Sequence, residues 1–168
     1  MDTNKLIRDI IEREGGFVNH PNDKGGPTKW GITAATLGRW RSLGRNATIE
    51  EVRALTKQEA EDIYYVQYVK KPGFDKVPDE HLRTQLVDYG VNSGPMLAIT
   101  KLQEIIGADA DGILGNETLS ALSLKDQRVV NNQLVAARVR MFGRIVTKAK
   151  TQIAFLDGWL ARALTFLR

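Results

Sequence analysis

The chain predicts an all-α protein, and three observations carry that prediction. Strict alternation of apolar and polar residues is weak throughout. Apolar residues instead recur three and four positions apart, and capping residues stand ahead of several of those runs. The first helix covers about residues 4–14, with Leu6, Ile7, Ile10 and Ile11 on one face, and it stops at Gly15-Gly16. A polar loop rich in glycine and proline follows over residues 18–29. Thr33 caps a helix that runs to Trp40 and closes near Gly44. Thr48 with Glu51, and Thr56 with Glu59, read as capping boxes, the second opening a helix to Val69. Pro72-Gly73 and Pro78 break the chain, and Asp79 caps a helix that carries Leu82, Leu86 and Val87 and ends near Asn92. After Gly94-Pro95, residues 96–106 form a helix halted by Gly107. Residues 117–122 give a short helix and 127–150 a long one. Residues 153–167 give a terminal helix that can continue from it. No repeat, low-complexity segment or linker interrupts the series. The expected division is therefore into regions 1–94 and 95–168, packed as one compact unit.

Composition bounds the function. With 168 residues, 42% hydrophobic and 26% charged, the chain can bury a core. It has no cysteine, which removes disulfides and thiolate metal sites. The 24 basic and 20 acidic residues leave a net charge of +4, a mild attraction to anionic polymers and surfaces. The apolar runs are too short to span a bilayer, and the N-terminal stretch has no uncharged apolar core of signal type. The terminal amphipathic segment is expected to pack on the body, with surface attraction at most. Arg140, Arg144 and Lys148 read as a solvated helix face. No phosphate-binding loop, dinucleotide fingerprint or nucleic-acid recognition pattern occurs, so nucleic acid is not an expected partner. His20 and His81 are the only histidines, too few for a zinc site. Asp109 to Gly112 lacks the further acids of a calcium loop and reads as a turn. The expectation is a monomer that needs no metal or cofactor.

The chemistry concentrates between Glu14 and Thr33. On a helical wheel Glu14 falls at roughly 80°, inside the arc from about 0° to about 140° held by Leu6, Ile10, Ile7 and Ile11. A carboxylate aimed at a core at the negative end of a helix is pressed toward its protonated form, which suits a general acid. A structural alternative is a carboxylate paired with Arg or Lys at a seam. Two glycines in succession let the backbone turn sharply and leave the acid open to a cleft. Asp23 follows nine residues later in the loop. Glycosidic cleavage uses two such carboxyl groups flanking the scissile bond, although Asp23 also suits a turn before Lys24-Gly25. Thr28 could orient water or the second carboxylate, and Phe17 and Trp30 could stack on sugar rings or belong to the core.

These residues resemble a known family. EGGFVNHPNDKGGPTKWGIT, from Glu14 to Thr33, is similar to the signature of the glycoside hydrolase family 108 lysozymes. DYGVNSGP, from Asp88 to Pro95, resembles the family's next helix end. LQEIIGADADGILGNETLSAL resembles its peptidoglycan-binding-type segment, and FLDGWLAR its terminal pattern. The resemblance covers nearly the whole chain, and its first motif is the most specific. It implies a lysozyme-like helical domain with a helical C-terminal subdomain, region 1–94 being catalytic and 95–168 peptidoglycan-binding-like. It further implies an endolysin that hydrolyses the β-1,4 bond between N-acetylmuramic acid and N-acetylglucosamine, with peptidoglycan glycan strands as partner. Glu14 takes the place of the catalytic acid. Asp23 and Thr28 follow much as in the Glu-x8-Asp-x5-Thr triad of phage lysozymes, but the second gap here is four residues. Phe17 stands where the family usually has tyrosine, so a phenol hydrogen bond is lost. Asp88 and Asn92 match positions expected to bind substrate. Such a protein is expected to accumulate in a host bacterial cytoplasm and act on the periplasmic wall after release. A non-catalytic wall-binding or secretion-accessory protein and a lytic transglycosylase are the alternatives.

Overall fold

The computed structural model describes residues 2–19 and 26–168, and these fall into two compact units, Thr3–Gln67 and Tyr68–Arg168. Helix 80–93, assigned from sequence to the first region, belongs by its packing to the second unit.

In the first unit, α1 (Thr3–Glu14) buries Leu6, Ile7, Ile10 and Ile11, as their spacing requires. It packs on α4 (Lys57–Tyr65), which buries Ala60, Ile63 and Tyr64. Between them come α2 (Ala34–Trp40) and α3 (Ile49–Arg53). Thr33 caps α2, its hydroxyl accepting from Thr36 N at 3.2 Å. Thr48 and Glu51 complete a reciprocal box on α3, at 3.2 and 2.6 Å. The second expected box is half formed. Thr56 accepts from Glu59 N at 3.2 Å, but the Glu59 carboxylate is taken by the Arg41 guanidinium at 2.7 and 2.6 Å. A bidentate guanidinium outcompetes a single amide for that carboxylate.

The polar loop contains structure that periodicity did not reveal. β1 (Phe17–Val18), β2 (Thr28–Lys29) and β3 (Ile32–Thr33) form an antiparallel sheet in that order. Two-residue strands are too short to show alternation. The β2–β3 connection is Trp30-Gly31, with φ of 51° and 75°, the left-handed pair that a tight hairpin turn demands.

In the second unit, Asp79 caps α5 (Glu80–Ser93), accepting from Leu82 N at 2.8 Å. The helices α6 (Pro95–Ile106) and α8 (Gln127–Lys148) pack on it around Leu82, Leu86, Leu102 and Leu134. Gly107, at φ 76°, closes α6 as expected. The segment from Gly107 to α7 (Asn116–Ser123) folds around one buried amide. Gln103 Nε2 reaches Asp111 Oδ1 at 2.7 Å and Thr118 Oγ1 at 2.9 Å, and its Oε1 accepts from Gly112 N at 2.9 Å. The Ile113 N–H and the Gln103 amide hold the Asp111 carboxyl below the usual carboxylate range, so Asp111 works as a turn anchor. The last helices are separate. A 3₁₀ segment, Lys150–Phe155, divides α8 from the shorter α9 (Leu156–Leu164). Among the described residues no helix is long and apolar enough to cross a membrane.

Candidate functional site

Glu14 is the last residue of α1, and Gly15 leaves the helix at φ 78°. The Gly15 carbonyl accepts from Trp30 N at 3.1 Å, which draws the β2–β3 turn against the helix end. Gly31 in that turn is the point of closest approach. A Cβ there would meet Tyr64 Oη at 2.5 Å and both Glu14 Cγ and Oε2 at 3.3 Å. The Tyr64 hydroxyl, on a largely buried residue of α4, donates to Trp30 O at 3.2 Å. Three elements thus converge on Gly31: the end of α1, the hairpin turn and α4.

The expectation that Glu14 faces the core is corrected. Its side chain is exposed, with its stem laid along Gly31. The buried stripe of α1 ends at Ile11, and one turn later the helix meets the backbone of a hairpin turn instead of apolar side chains. Desolvation by the core, part of the sequence argument for a proton donor, is therefore missing from this arrangement.

The hairpin is braced from behind. Lys29 Nζ donates to Arg53 O at 2.7 Å and Leu55 O at 2.8 Å, taking up carbonyls at and just beyond the end of α3. The same ammonium lies 4.4 Å from the Trp30 ring centroid, and the Arg53 guanidinium lies 4.8 Å from that of Phe17. Both aromatic rings are half-buried and already carry a cation from the protein. Thr28 is half-buried in the central strand, opposite Val18 and Thr33. Asp23 and His20 lie outside the described residues. Tyr64 was missed from sequence, because no local spacing links it to Glu14; the packing of α1 on α4 supplies the link.

Asp88 and Asn92 belong to the second unit and differ from each other. Asp88 is 1% exposed, its oxygens bound to Arg138 Nη2 at 2.6 Å and Arg162 Nε at 2.8 Å. The expected substrate contact at Asp88 is therefore corrected: two guanidiniums enclose the carboxylate, and it joins α5 to α8 and α9. Asn92 is exposed and donates to Asp88 O at 2.6 Å. Among the described residues no group of three or more His, Cys, Asp or Glu could hold a metal ion.

Comparison with known proteins divides the chain at a different place from the compact units. A family model described as Glycosyl hydrolase 108 matches residues 7–94, and one described as Predicted Peptidoglycan domain matches residues 97–164. Among solved structures, that of Brucella abortus SagA is 36% identical with a TM-score of 0.72, the match covering 99% of this chain and 95% of that one. No curated protein matches the chain.

Proposed function

The chain belongs to the glycosyl hydrolase 108 family, and from that premise we propose that it is an N-acetylmuramidase. Its bond is the β-1,4 link between N-acetylmuramic acid and N-acetylglucosamine, and its role is wall lysis of the endolysin type. Glu14 protonates the departing N-acetylglucosamine oxygen. Asp23, with Thr28 and a water, serves the muramic acid C1 side.

What supports this reading is the setting of Glu14. It is an accessible carboxylate at a helix end, laid along a glycine that leaves room for it, in the most specific motif of the chain. Exposure suits a group that must reach a polymer.

Reducing-end analysis of digested peptidoglycan by mass spectrometry tests the reading. New reducing muramic acid ends are expected. Ends lighter by one water, the 1,6-anhydro form, would mark a lytic transglycosylase instead. Wall binding without new ends would mark a non-catalytic protein.

A further inference from the structure

We propose that a cavity among α5, α8 and α9, remote in sequence from Glu14, binds a carboxylate carried on a small apolar body. The cavity holds about 130 Å³, room for several water-sized groups. Its walls include Met141, Phe142, Ile145 and Trp159, the rings of Phe142 and Trp159 lying 5.5 Å apart. Arg138 and Arg162 supply the polar part, and Asn92 stands at the lining.

The charge within this cluster is unbalanced. Among the described residues Asp88 is the one carboxylate bound to the pair, and each of its oxygens is taken by one guanidinium. Nε and Nη1 of Arg138 and Nη2 of Arg162 are buried without a hydrogen-bond partner among the described residues. The side chain of Arg138 is 1% exposed. Its guanidinium carbon lies 5.0 Å from the Tyr89 ring centroid and 5.7 Å from that of Phe166. Ring faces soften a buried charge but leave its N–H donors unsatisfied. Two cations against one anion, with spare donors beside an apolar cavity, call for a second anion. A carboxylate fits the guanidinium geometry, and a short aliphatic or methyl-bearing body fits the walls.

Two sources share this chemistry, a peptide C-terminus and a free short carboxylic acid. The peptide source, a stem-peptide end of the wall, rests on the function proposed above; the carboxylate site itself does not. The test is a titration of the full chain followed by ¹H–¹⁵N spectra at the Trp159 indole and the Arg162 Nε–H. N-acetyl-D-alanyl-D-alanine, its C-terminal amide and propionate are the three probes. Saturable shifts are expected with the dipeptide acid and not with the amide. Affinity should fall at least tenfold in Arg162→Gln, and likewise in Ile145→Trp, which fills the cavity and keeps every charge. Propionate binding as tightly as the dipeptide would support the carboxylate site and overturn the peptide source. No saturable shift from either acid, an equal response to the amide, or undiminished binding in Ile145→Trp would overturn the site. Wall cleavage by the same samples separates the two readings: intact dipeptide binding without cleavage counts against the muramidase, and the reverse counts against this site.

Discussion

Two residues of the first unit, Glu14 and Gly31, lie against each other at the hairpin turn. Glu14→Gln keeps the shape of the side chain and removes the proton it would give. General acid catalysis is worth roughly 10²–10⁴-fold, so turnover on peptidoglycan should fall by at least about 10² with an unchanged melting temperature. Parallel rate and melting measurements check this, and wild-type turnover in Glu14→Gln would remove Glu14 from the mechanism. Gly31 is demanding for a different reason. It combines φ 75° with close approach of Tyr64 and Glu14. Gly31→Ala should lose about 1 kcal/mol or more of stability, since a methyl there is strained in backbone and in space. Adding Tyr64→Phe removes the nearest clashing atom and should restore part of the loss. A denaturant series on the two single variants and the double variant measures it. Gly31→Ala as stable as wild type would contradict the close approach. The wheel put Glu14 on the buried face because it assumed that apolar neighbours continue past Ile11, and the side chain is exposed instead. At that point the chain supplies Gly31 and a hairpin, from a segment seventeen residues further on.

Helices whose caps are local were the elements most legible in the sequence. Thr33, Thr48 and Asp79 each bond the backbone three residues ahead, so the signal and the structure lie in one window. Thr56 shows where this runs out: its partner Glu59 is claimed by Arg41, eighteen residues away. The three strands were illegible because two-residue strands carry no period. The Asp79 cap also carries a pH prediction. Burial alone would raise its carboxyl, but the Arg168 guanidinium, at 2.7 Å, and the Leu82 N–H prevail and hold it below the usual carboxylate range. A folded value below the unfolded one means this stabilisation is fully present above the unfolded value. It is lost as pH falls through the folded one. Asp79→Asn keeps a cap and loses the charge. Its stability deficit should therefore be full near pH 6 and shrink below about pH 4, where even free aspartate protonates. Urea midpoints of both proteins across that range decide it, and a constant deficit would deny the charge a role.

At the scale of the whole molecule, the sequence placed its division near residue 94, where the family models also change. The compact units instead divide between Gln67 and Tyr68. Inherited segments and packed units answer to different forces. A segment boundary is marked by motifs, while a packing boundary depends on which helix finds a buried face, a long-range choice for α5 that no local window contains. Net charge acts at this scale too. At +4 the chain is drawn to an anionic wall only mildly. Between about 0.1 M and about 1 M salt the screening length falls from about 10 to about 3 Å. Wall clearing should drop a few-fold over that range, while cleavage of an uncharged soluble oligosaccharide stays level. A loss of orders of magnitude in a turbidity series would mean that charge dominates recognition. The double grip of Lys29 on the carbonyls of Arg53 and Leu55 has its own consequence. One ε-amine rivets the hairpin beside Glu14 to a neighbouring helix terminus, so acylating it would unseat the acid proposed above from behind without touching it. Mapping acylated lysines by mass against residual turnover would reveal such remote poisoning, and full turnover with Lys29 acylated would rule it out.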